Sequence, residues 1–149
     1  MKEISKKQNV FILFAATSKN GHFNFRKDHD TIRVKDLETS MNFYKNILGL
    51  EQIPNGGLGD HIVWFQLKNK VQLHLVESDT KIEKNKGFHS AFNTGNLSEF
   101  MDFLREKNIP FENGRGEKNM VTNRPDGIRQ IYFQDPDGYW IEVNDNILE

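Results

Sequence analysis

The chain has 149 residues, 36% apolar and 28% charged, enough for one globular domain with a real core and too few for two ordinary ones. Its 20 basic and 21 acidic residues leave no field to attract DNA, RNA or anionic lipid, so nucleic acid and membrane are not expected partners. With no cysteine, a disulfide framework, a thiolate nucleophile and a sulfur-ligated zinc site are excluded; a metal would need His, Asp and Glu ligands.

The N-terminal extension, residues 1–27, departs from the rest. Lysines precede the apolar run Val10 to Ala16, and small and polar residues follow it. That is the order of a short secretory signal, which would make the protein exported or periplasmic. The alternative is an extra N-terminal strand, VFILFAA, on a cytoplasmic protein. The run is far too short to span a membrane.

From residue 28 the elements follow in a regular order. A strand, HDTIRV, leads into a helix over Leu37 to Leu48, then a short strand LEQIP and two longer ones, HIVWFQL and VQLHLVE. The same order recurs as HSAFNT, a helix over Leu97 to Lys107, IPFEN, IRQIYFQ and YWIEVND. Asp36 and Asn96 are N-cap residues, Glu99 completes a capping-box spacing after Asn96, and Gly49 stands where a left-handed residue closes the first helix. Leu37, Met41, Tyr44 and Leu48, like Leu97, Met101 and Leu104, recur at helical spacing and are read as faces packed on a sheet. RPDG at 124–127 and DPDG at 135–138 are turn sequences. The expected fold is α+β: two βαβββ units (28–78 and 87–146) forming a curved mixed sheet around a cavity, with the helices outside.

The repeat picks out four residues. An offset of 60 carries His29 onto His89, and an offset of 68 carries His74 onto Glu142. Each pair occupies equivalent points on the first and last strands of its unit. If a pseudo-twofold relates the units, all four side chains converge on one cavity, and that pattern points to a divalent metal. Alternation places Arg33 on the face of His29, which makes it the preferred cation for a substrate carboxylate ahead of Arg124 and Arg129. His22 and His61 lack repeat partners and are read as exposed or locally bonded. Trp64, Tyr132 and Trp140 are read as core or cavity lining.

The stretches HDTIRVKDLETSMNFYKNILGL, GFHSAF and FQDPDGYWIEVND resemble the vicinal oxygen chelate superfamily over about residues 28 to 146. That superfamily holds glyoxalase I, fosfomycin-resistance thiol transferases, extradiol dioxygenases, methylmalonyl-CoA epimerase and bleomycin-binding proteins. The resemblance implies paired βαβββ units around a divalent metal, with ligand positions matching His29, His74, His89 and Glu142. It also implies a homodimer, since single-chain relatives commonly pair unit one of one subunit with unit two of the other. Arg33 corresponds to an arginine that contacts a glutathione carboxylate in glyoxalase I. His74 departs from the glutamate or glutamine usual in glyoxalases.

Such a donor set suits Zn, Ni, Co, Mn or Fe(II), and it leaves adjacent positions for two neighbouring substrate oxygens. The ion would polarise a bound carbonyl, and Glu142 is the one ligand able to shuttle a proton. The leading expectation is a glyoxalase-like lyase or isomerase working through the enolate of an α-hydroxycarbonyl small molecule. The alternatives are a metal-dependent transferase or dioxygenase of the same superfamily, or a binding protein of the bleomycin-resistance kind. The transferases share the ligands at 29, 89 and 142 but usually carry a longer C-terminal tail.

Overall fold

The computed structural model describes residues 25–81 and 83–147. Most of the expected N-terminal signal or strand lies outside the described residues. Among these residues, no helix is long and apolar enough to cross a membrane.

The first unit is β1 (His29–Val34), α1 (Leu37–Asn46), β2 (Glu51–Ile53), β3 (Ile62–Gln66) and β4 (Gln72–Glu77). The second is β5 (His89–Asn93), α2 (Leu97–Glu106), β6 (Phe111–Glu112), β7 (Thr122–Asn123), β8 (Arg129–Gln134) and β9 (Trp140–Asn144). Each unit makes its own mixed sheet. The first has the order β1-β4-β3-β2; the second has β5-β9-β8-β6, with β7 also on β8. First and last strands pair in parallel in both, β1 with β4 and β5 with β9.

Local chemistry explains most element ends. Asp36 caps α1 by accepting the Thr39 N–H at 2.7 Å. Gly49 takes φ +64° just after that helix, which costs a glycine little and ends the helix before Leu48. At α2 the expected cap bond does not form: Asn96 sits at φ −125°, ψ 50° and its side chain bonds no helix N–H. That ψ is well below the extended values from which an N-cap side chain reaches its helix. β7 was not anticipated. It exists because RPDG turns the chain back, with Arg124 N–H donating to Ile128 O at 2.8 Å, so Thr122 and Asn123 lie along β8.

Alternation along the strands gives each sheet one apolar face. Val34, Leu73, Leu75 and Phe65 in the first sheet and Phe111, Ile131, Phe133, Ile141 and Val143 in the second join Leu37, Tyr44, Leu97 and Leu104 of the helices in a single core. Helix α1 touches both sheets through this core: Tyr44 packs on Phe65 and Phe43 on Phe133. Its polar side is tied to the turn between β8 and β9. The buried Tyr44 hydroxyl donates to Asp135 at 2.8 Å, and Ser40 Oγ donates to Asp137 at 2.9 Å. The opposite face of each sheet, which carries the expected ligands, therefore looks away from the shared core.

Candidate metal centre

On the outward face of the first sheet, pairing register aligns Trp64, His74 and Thr31 across β3, β4 and β1, with His29 two residues earlier on the same face. The His74 ring lies flat between two others. Its centroid is 4.2 Å from that of Trp64 at 6° between planes, and 4.2 Å from that of His29 at 15°. His74 is 7% exposed, and burial, then the nearby His29, lowers its pKa. Its Nε2 lies 2.8 Å from Gln72 Oε1. His29, on the edge strand, keeps 41% of its side chain exposed and sets Nδ1 against Asp28 Oδ2 at 2.6 Å. Among the described residues, the buried Trp64 indole N–H has no partner.

The outward face of the second sheet is built by hydrogen bonds. Register sets Glu142 between Ala91 and Tyr132, and Asn144 beside Gln130. Glu142, 6% exposed, accepts the Tyr132 hydroxyl on Oε2 at 2.5 Å and the Asn144 amide on Oε1 at 2.8 Å. Gln130 in turn donates to the Tyr132 oxygen at 2.6 Å. Burial, then the bond to Glu142, raises the Tyr132 pKa, so the phenol stays protonated. His89 stands edge-on to Tyr132, places Nδ1 2.8 Å from Lys86 O, and brings Nε2 to 3.4 Å from Glu142 Oε2.

These contacts assign the lone pairs. A carbonyl oxygen only accepts, so Nδ1 of His89 carries the hydrogen, and in the neutral form that binds metal the ring would turn its Nε2 lone pair toward the carboxylate. Two lone pairs facing at that distance want a cation between them. Two donors each about 2.1 Å from one ion stand about 3.0 to 3.4 Å apart, so the pair has the spacing of metal ligands. Asp28 does for His29 what Lys86 O does for His89, orienting the ring by the nitrogen that leaves Nε2 free.

The structure thus brings the four expected ligands together as two pairs, and does not bring the pairs together in one chain. Among the described residues, no three His, Asp or Glu side chains are placed to hold one ion. Arg33 shares the face of His29 but lines a separate cleft with Lys35, Lys81, Lys84, Asp79, Asp137 and Tyr139. Arg124 and Arg129 are paired with Asp126 and Asp145. His61 is exposed, and His22 lies outside the described residues. The partners of Glu142 were not anticipated, although Gln130 and Tyr132, like Glu142 and Asn144, stand at the i, i+2 spacing that shares a strand face.

Residues 26–143 match the Glyoxalase/Bleomycin resistance protein/Dioxygenase superfamily. The chain belongs to that superfamily. Within it, the chain is 27% identical to YwbC of Bacillus subtilis (strain 168) over 124 residues, 78% of this chain and 94% of that one. It is 26% identical to the metallothiol transferase FosB of Staphylococcus epidermidis over 131 residues, 82% of each. In fold it is similar to the oxidase ChaP-H2, with TM-score 0.70 and 23% identity over 83% of this chain and 95% of that one. It is also similar to the fosfomycin resistance protein FosX of Listeria monocytogenes, with TM-score 0.66 and 24% identity over the same shares.

Proposed function

We propose that this superfamily member is a divalent-metal-dependent enzyme that transfers a nucleophile, a thiol above all, to a small molecule held through two neighbouring oxygens. The carrying observation is the Glu142 carboxylate: both its oxygens already accept a buried donor while His89 Nε2 faces it at 3.4 Å. A carboxylate held in this way suits a ligand better than a mobile base. The bound ion would supply Lewis acidity to the substrate oxygens; an external thiol arriving as its thiolate needs no base from the protein, and its attack on carbon breaks a substrate C–O bond whose oxygen then takes a proton from solvent. Similarity to the metallothiol transferase FosB supports the same class.

In this reading His89, Glu142 and His29 hold the ion. Tyr132 and Asn144 fix the two carboxylate oxygens, and Lys86 O and Asp28 fix the two imidazoles. Because no three such side chains meet around one ion among the described residues, this reading takes His29 from a second copy of the chain, in a homodimer with two composite centres.

One observation favours the isomerase alternative: the 2.5 Å bond from Tyr132 to Glu142 gives the carboxylate a proton partner. Zn- or Mn-loaded full chain given fosfomycin with L-cysteine, or the hemithioacetal of methylglyoxal, separates the readings. Thiol consumption with the first supports transfer; conversion of the second without it moves the assignment to the isomerase.

A further inference from the structure

We propose that Trp64 and His74 form a stacking wall that fixes the ring plane of His29, so that His74 serves the metal centre as a positioning residue and not as a ligand. This rests on the reading that His29, His89 and Glu142 hold a divalent ion.

Three observations carry it. The first is the relation of the rings. An imidazole lone pair lies in the plane of its ring, so two imidazoles on one ion have planes that meet at that ion. Rings stacked at 4.2 Å with 15° between them share no point within a metal–nitrogen bond of about 2.0 to 2.1 Å. The second is how the nitrogens are used. His29 and His89 both engage Nδ1 and leave Nε2, whereas His74 engages Nε2 with Gln72 and leaves only the nitrogen nearer its backbone. The third is burial: His74 is 7% exposed beneath its two neighbours, while His29 stays open.

The wall has a physical purpose. β1 is an edge strand, ordered β1-β4-β3-β2, so His29 has a neighbouring strand on one side alone. An exposed imidazole there would sample several rotamers, and holding one of them before the ion arrives removes that cost from binding. Asp28 holds Nδ1 at the rim, and the flat stack supplies the other constraint. Trp64 is the base of the stack, itself backed by Gly56, where an added Cβ would lie 3.4 Å from the indole.

The test uses Co(II) and the full chain, reading affinity by chelator competition and coordination by the visible absorption spectrum. Neither phenylalanine nor leucine can bind Co(II), but only phenylalanine preserves the stack. His74→Phe should keep wild-type affinity within about threefold and the same spectrum. His74→Leu and Trp64→Leu should each weaken binding by about 10- to 100-fold, the range for groups that orient a ligand, again with the spectrum unchanged; Trp64→Phe should restore it. Equal losses in His74→Phe and His74→Leu with an altered spectrum would show His74 to be a ligand and overturn the proposal. The metal-free chain gives an independent readout, since the Trp64 ring current should move the His74 imidazole proton signals upfield by NMR. Unshifted signals overturn the stack itself. A shifted His74 in a wild-type chain that binds no Co(II) overturns the metal reading and leaves the stack as packing.

Discussion

The two units of the repeat hold their ligands by different physics. In the first sheet a tryptophan and a histidine stack beneath His29, an arrangement that needs flat rings in register. In the second, Tyr132, Asn144 and Gln130 make a buried hydrogen-bonded cradle for Glu142. Equivalent positions in a repeat therefore carry equivalent placement without equivalent chemistry. His74 and Glu142 stand at matching points of β4 and β9, yet one is wedged among rings while the other accepts two donors. A hydrogen-bonded cradle fails sharply when its acceptor goes, because each stranded buried donor costs about 1 to 3 kcal/mol. A stack tolerates any flat replacement.

That contrast can be broken most severely at Glu142. Glu142→Ala strands the Tyr132 hydroxyl and the Asn144 amide together, and should lose metal as well as about 2 to 6 kcal/mol in urea unfolding. Glu142→Gln keeps an acceptor and should lose less. The separation of the two faces is probed next by mixing chains. His29→Ala and His89→Ala should each lack metal alone, whereas unfolding and refolding them together should restore about a quarter of the wild-type content, as random pairing into twofold dimers with composite centres requires. No recovery would mean that each centre is completed within one chain. Tyr132→Phe removes one donor from the cradle and keeps the ring; metal affinity should fall by about 10- to 100-fold, while the corresponding flat exchange at His74 leaves it intact.

The smallest effect lies at the seam between the units. Burial raises the Asp135 pKa above its ordinary 3.8, against the lowering influence of its bond from Tyr44. The folded chain then binds more protons than the unfolded one above pH 3.8, so this residue's contribution is present below that pH and is lost as pH rises through the raised value. Asp135→Asn should flatten that part of the stability profile, followed by thermal unfolding between pH 3.5 and 7. An unchanged slope would locate the titration elsewhere.

Much of this was legible from the chain alone. Alternation and the two offsets place His29, His74, His89 and Glu142 on matching strands, because period-two patterning and repeat spacing are local properties. Which way the ligand faces look is not local. It depends on Tyr44 finding Asp135 and Ser40 finding Asp137, bonds between residues that no pattern links. The stack under His29 likewise depends on the β3–β4 register, set by the turn at Lys70 with φ +66°. Helix α2 shows the opposite failure: Asn96 and Glu99 have the letters of a capping box, and the backbone angle decides against it.

The ties from α1 to the last hairpin also bear on how the chain is made. The Tyr44 hydroxyl and Ser40 Oγ reach partners 91 and 97 residues further along the sequence. During synthesis the first unit emerges long before those partners exist, with Phe43 still without Phe133 and the Tyr44 hydroxyl without Asp135, and contacts so distant in sequence form slowly. A nascent chain that has passed β4 is thus an adhesive intermediate until β8 and β9 close over it. A truncated chain ending at residue 80 should bind a hydrophobic dye such as ANS strongly, where the full chain binds little.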